Sequence, residues 1–171
     1  MGTNWVYVFM YLVAIVLANL SVAQFGVASV IVNAFLFIGL DLTARDKLHD
    51  TWHGKNLWLK MFILIGAGSL LSWLLNKNAG QIALASMVAF GCAGLVDALV
   101  YQKLIRKTWM IRVNGSNLFS AMVDSIVFPT IAFGALMPLI ILGQFAAKVV
   151  GGYVWSLILR KRVGTWQAQR A

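Results

Sequence analysis

The chain contains no glutamate, a single cysteine (Cys92) and only two prolines, Pro129 and Pro138. One thiol makes no intrachain disulfide and no thiolate metal cluster. Charge of either sign is scarce. Only 11% of the 171 residues are charged, against about 25% in a soluble domain. No charged side chain precedes Asp41. There is no G-x-x-x-x-G-K-[ST] run, so the chain carries no ATP-hydrolysing loop of its own. No nucleophile–base–orienter set is visible either, and no enzymatic activity, cofactor or metal is expected.

What is present is apolar: 61% of the residues are hydrophobic. The uncharged opening is too long for a secretory h-region of about 7–15 residues. It is long enough for two membrane spans of about 20 residues each. The predicted fold is all-α, a polytopic membrane protein forming one domain over 1–171. Six transmembrane helices are expected, at about 5–23, 25–42, 57–75, 80–104, 117–137 and 138–159. The connections at 23–25 and 137–138 are tight enough for helical hairpins, and the six spans read as three hairpins.

The basic residues give the orientation. Arg45, Lys47, Lys55 and Lys60 follow the second span. Lys103, Arg106, Lys107 and Arg112 follow the fourth. Arg160, Lys161, Arg162 and Arg170 follow the sixth, whereas the opposite side has Lys77 alone. Positive loops face the cytoplasm, so both termini are expected inside, in the cytoplasmic (inner) membrane. These loops account for the net charge of +9. No aromatic-interleaved basic platform accompanies them, so nucleic acid is not an expected partner. The expected partners are the lipid bilayer and a small molecule, with room for a homo-oligomer.

Polar residues inside the spans carry the functional signal. A carboxylate at the centre of a spanning helix costs about 2.5–3.5 kcal/mol on insertion scales and normally faces the bundle interior. At 1.5 Å per residue, Asp124 lies roughly 10–13 Å above the cytoplasmic end of its helix, Asp97 about 9–10 Å and Asn33 about 12 Å. Lys148 lies about 17 Å above Leu159, with a stem able to reach down, and Gln144 is one turn away on the same face. Four helices therefore bring polar groups to nearly one layer. Lys148 needs a counter-charge, and Asp97 and Asp124 are the candidates. Phe35, Phe37, Phe90, Tyr101, Phe128 and Phe133 lie close in sequence. Carboxylate, amide, ammonium and aromatic groups together suit a flat polar heterocycle, stacked on its faces and read at its edge. The candidate substrate-binding residues are Asp124, Asp97, Asn33, Gln144, Lys148 and Phe128. The competing reading of Asp124 is a static interhelical partner.

Other motifs carry less. His49 and His53 are one helical turn apart, but the zincin pattern needs Glu after the first His and a further ligand. Asp41 and Arg45 are spaced to pair at the end of the second helix, as a surface ion pair or as a gate. Pro129 is expected to kink the fifth span.

Several stretches resemble one family. Gly39-Leu-Asp-Leu-Thr-Ala-Arg-Asp-Lys-Leu-His-Asp50, Leu95-Val-Asp-Ala-Leu-Val-Tyr101, Arg112-Val-Asn-Gly-Ser-Asn117, Ala121-Met-Val-Asp-Ser-Ile-Val-Phe128 and Ile131-Ala-Phe-Gly134 are similar to the vitamin uptake transporter family, in its order and spacing. The resemblance implies uptake of a queuosine precursor, a 7-deazaguanine base, across the cytoplasmic membrane. A guanine-like edge offers two N–H groups that a carboxylate accepts, as acidic residues do with exocyclic amines. Two other readings fit six spans and small size. One is a substrate-capture subunit of an energy-coupling-factor importer. The other is a small non-transporting membrane protein, against which the convergent polar layer argues.

Overall fold

Lipid tails are as apolar as leucine, so no hydrophobic force drives such side chains inward within a bilayer. The distribution of side chains follows. Trp5, Phe9, Phe62 and Leu139 stand exposed on the outside, while Asn33, Asp124, Gln144 and Lys148 are buried. The computed structural model describes residues 2–52, 56–104, 106–107 and 109–167, and all regular structure among them is helical. In chain order the α-helices are α1 (Gly2–Phe25), α2 (Val30–Asn33), α3 (Gly39–Trp52), α4 (Leu57–Leu75), α5 (Gly80–Lys103), α6 (Trp109–Phe133) and α7 (Pro138–Gln167). Five helical stretches are long and apolar enough to cross a membrane: Trp5–Asp41, Trp58–Leu75, Lys77–Lys103, Gly115–Phe133 and Pro138–Trp155. The protein is a multi-pass membrane protein.

The first stretch is 37 residues long, about 55 Å of helix at 1.5 Å per residue, against a hydrocarbon core of about 30 Å. It is not straight. A 3-10 turn at Gly26–Ser29 interrupts it, opened by Gly26 at φ +60, a conformation that costs glycine little. Beyond the turn, Asn33 Nδ2 donates to Ala18 O at 3.4 Å. Fifteen residues of continuous helix would separate those groups by about 22 Å. The chain has therefore folded back, and α3 packs along α1.

Between α2 and α3 the helix widens to a π-turn at Ala34–Ile38. Such a turn disturbs the backbone ladder and often marks a functional site. Here Trp155 Nε1 donates to Leu36 O at 2.9 Å. The same rod meets α7 at two glycines. A Cβ on Gly39 would stand 2.7 Å from Gly151 C, and a Cβ on Gly143 would stand 2.6 Å from Ile31 Cδ1. Small residues at such crossings let backbones approach, so residues 30–39 and α7 are fastened at three levels.

The most extensive packing in the bundle joins α5 to α6, across the junction between two of the hairpins read from sequence. Leu104 lies against Gly115 at one end. Gln81 Nε2 donates to Ile131 O at 3.3 Å at the other. The pair is antiparallel over its length. α4 lies against α1 and α5. Lys60 Nζ sits 5.5 Å from the Trp52 ring centroid, as expected of a lysine snorkelling towards an interface.

Several element ends differ from those expected. α6 stops at Phe133 instead of about 137, because Gly134 takes φ +69 and terminates it in the manner of a C-cap glycine. Pro138 then opens α7, where its missing N–H is harmless. α3 runs on to Trp52, and α6 begins at Trp109. The charged stretches 43–52 and 109–116 read as loops because they are too polar for hydrocarbon, but polarity does not stop a helix that has left it. Asp41 and Arg45 depart from the surface reading: they are 0% and 6% exposed, inside the bundle.

Candidate functional site

The polar residues inside the bundle converge on a cavity of about 30 Å³. Its walls include Asn19 from α1, Asn33 from α2, Ser86 and Phe90 from α5, Asp124 and Phe128 from α6, and Gln144 and Lys148 from α7. Five of the six residues singled out from the sequence thus share one cavity. The sixth, Asp97, does not line it. Asp97 is buried on the α5 face that also carries Ser86, Phe90 and Ala93, one turn beyond Ala93. Its Oδ1 has no hydrogen-bond partner among the described residues.

Lys148 organises the centre. An ammonium has three protons to donate, and Lys148 Nζ finds three acceptors. These are Asp124 Oδ2 at 2.5 Å, Ser125 Oγ at 3.0 Å and Gln144 Oε1 at 3.2 Å. Lys148 is 2% exposed and the Asp124 side chain 9%, so the pair is sealed from lipid. The expected counter-charge is therefore Asp124 and not Asp97. The spacing explains the other ligands. Gln144 lies one turn before Lys148 on α7 and shares its face, and Ser125 adjoins Asp124 on α6.

The amides complete the wall. Gln144 gives its oxygen to Lys148 and leaves Nε2 buried without a partner among the described residues. That nitrogen is a donor available to a ligand acceptor. Asn33 Nδ2 is held by Ala18 O and by Ser29 Oγ, each at 3.4 Å. Asn19 Nδ2 donates to Ser72 Oγ at 3.1 Å, and Ser72 Oγ donates to Gly68 O at 2.7 Å, which ties α1 to α4 beside the cavity. Phe128 stacks edge-on against Phe133, with 6.5 Å between ring centroids. Asn19, Ser86 and Tyr11 escape the sequence reading. Tyr11 is 1% exposed and lies within electrostatic reach of Asp41, Arg45 and Asp124. Uncharged and short of a motif, these three give no contrast within an apolar span.

The arrangement can accept hydrogen bonds at Asp124, donate them at Lys148 and Gln144, and stack an aromatic ring on Phe90 or Phe128. At about 30 Å³ it has room for roughly two waters. Sites for drug-sized molecules run to about 300–1,000 Å³, so a ligand of that class would fit only if the helices parted. Among the described residues no group of three or more His, Cys, Asp or Glu is placed to hold a metal ion. His53 lies outside the described residues.

Apolar helices around a buried polar centre define a multi-pass membrane protein with an ion pair inside its bundle. Residues 3–160 match the family described as "Putative vitamin uptake transporter", and the chain belongs to that family. A curated relative from Haemophilus influenzae, named "Probable queuosine precursor transporter", is 29% identical over 114 residues. The match covers 58% of this chain and 48% of the relative, so it spans about half of the relative's length. No solved structure matches the chain.

Proposed function

We propose that this protein imports a queuosine precursor, a 7-deazaguanine base, across the cytoplasmic membrane. In this reading the fold-back at Gly26–Ser29 divides Trp5–Asp41 into two passes, giving six in all with both termini inside. The observation that carries the reading is the buried Lys148–Asp124 pair at the wall of a cavity with polar and aromatic walls. A lactam edge of the guanine type presents a carbonyl oxygen beside a ring N–H and an exocyclic amine. Asp124 accepts from the two N–H groups and Lys148 donates to the carbonyl. The base thus takes over hydrogen bonds that the two side chains make to each other when the site is closed. Gln144 Nε2 supplies a further donor, and Phe128 and Phe90 cover the ring faces. Family membership and the name of the Haemophilus relative support the same class of solute.

The test is uptake by a precursor-auxotrophic bacterium that lacks its own importer, with tRNA queuosine content as the readout. Expression of this chain alone is expected to restore queuosine. Restoration only with an added ATPase module would replace the reading with that of a capture subunit. No restoration despite membrane-inserted protein would remove it. The pass count has its own check. A reporter fused after Ala171 is expected to behave as cytoplasmic and one inserted at Asn78 as external, and the opposite pattern overturns the topology.

A further inference from the structure

A second cavity, of about 10 Å³, adjoins the first. The two share Ile38, Phe90, Asp124 and Lys148, so these residues form a partition with the ion pair at its centre. The first cavity extends from the partition towards Val22 and Val30, beside the turn at Gly26–Ser29. The second extends the other way, towards Arg45 on α3 and Ser120 on α6. Both residues lie on the side of the basic connections. Ser120 is one helical turn from Asp124 towards the start of α6, and Arg45 lies about two turns beyond Ile38.

The chemistry on the two sides differs. The first cavity adds amides to the shared carboxylate. The second adds a guanidinium and a hydroxyl. Arg45 is anchored across the bundle, its Nη2 donating to Asn117 Oδ1 at 3.5 Å. Ser120 is 1% exposed, and its Oγ has no hydrogen-bond partner among the described residues. A buried hydroxyl without a partner costs stability that a ligand would recover. No packing need explains a serine there, since alanine would fill nearly the same space.

At about 10 Å³ the second cavity holds at most one water while the helices are closed. We propose that it marks where a release-side station opens for the transported base, reached after the base passes the Asp124–Lys148 partition. The proposal rests on the importer reading. At this station Ser120 Oγ and the Arg45 guanidinium donate to the carbonyl and ring-nitrogen acceptors of the base while Asp124 still holds its N–H edge. The base is then never stripped of all partners between the two stations. Asp97, further along the same α5 face, is the next polar group on that route.

The experiment separates binding from translocation. Full-length protein in nanodiscs is tested for equilibrium binding of radiolabelled 7-deazaguanine, and the same variants in proteoliposomes for uptake. Ser120→Leu places bulk where the station opens, and Ala93→Leu does so from α5. Each is expected to bind within about threefold of wild type while uptake falls by about tenfold or more, the factor that corresponds to 1.4 kcal/mol. Ser120→Ala, which removes the hydroxyl without filling the space, guards against misfolding of the larger variants. It is expected to bind as wild type and to transport several-fold more slowly. Wild-type uptake in all three variants overturns the proposal, as does loss of binding in proportion to uptake. Failure of the wild-type protein to bind the base strikes the importer reading itself and takes this proposal with it. Binding by wild type without the Ser120 effect removes this proposal alone.

Discussion

Asp124→Asn is expected to abolish uptake by the protein that remains folded and inserted. Asparagine presents one acceptor and one donor where the base brings two donors, so a donor faces a donor in a buried site. Leaving such a group unpaired costs about 1–3 kcal/mol, and more where a charge was involved. At tenfold per 1.4 kcal/mol, affinity falls by about 10- to 100-fold or more. Asp124→Asn leaves the Lys148 ammonium without a counter-charge, so some stability is lost with it. Lys148 nevertheless keeps Ser125 Oγ and Gln144 Oε1 as acceptors and an amide oxygen remains at position 124, so folded protein is expected to be recovered for the assay. Asp124→Glu keeps the charge and moves it by one methylene, so it is expected to be impaired less. The measurement is uptake divided by the amount of folded protein recovered from the membrane. Near-wild-type normalised uptake would make Asp124 scaffolding and not a ligand.

Lys148→Met produces the opposite pattern, with the loss in stability first. Among the described residues Lys148 is the one hydrogen-bond partner of Asp124. Removing it strands a carboxylate in the interior, and breaking a buried pair from one side costs about 3–5 kcal/mol. A large fall in thermal unfolding midpoint and in folded yield is expected. Removing both charges together is far milder, since a buried pair replaced by apolar groups of similar volume is often neutral. The double variant Asp124→Leu/Lys148→Met is therefore expected to recover most of the stability and none of the uptake. Strong non-additivity of this kind is what contact predicts. A Lys148→Met protein as stable as the wild type would mean that the pair contributes nothing to the fold.

The parts of the site that are legible in sequence are those that contrast with their surroundings. A lysine or aspartate in an apolar run is visible at once, and a common depth from the helix ends brings Asp124, Asn33, Gln144 and Lys148 together before any fold is known. Depth counted from the helix ends is coarse. Asp97 lies on the α5 face that carries Ser86 and Phe90 but about two turns beyond Phe90, past Ala93 and off the cavity. Asn19 and Ser86 are at cavity height with nothing to announce them, because short uncharged polar residues are ordinary within spans. The π-turn at Ala34–Ile38 lies in a stretch whose composition is that of any apolar helix. The burial of Asp41 and Arg45 was hidden for a related reason. Their spacing gives a pair, but only the packing of α3 on α1 and α7 decides whether water reaches it.

The closed partition also bears on how the membrane voltage acts on the protein. A single charge crossing a potential of 100 mV does work of about 2.3 kcal/mol, so a lone ammonium in the bundle would make each cycle voltage-sensitive. Lys148 is joined to Asp124 at 2.5 Å, and as an ion pair the two carry no net charge. When a neutral base inserts between them, the sum is unchanged. If the protein imports a neutral base as proposed, the field would do little work on this pair, loaded or empty, and the step at the pair would be expected to move no net charge. A buried site built around one cation and one anion is thus one in which a proposed carrier could reorganise that pair without drawing on the membrane potential.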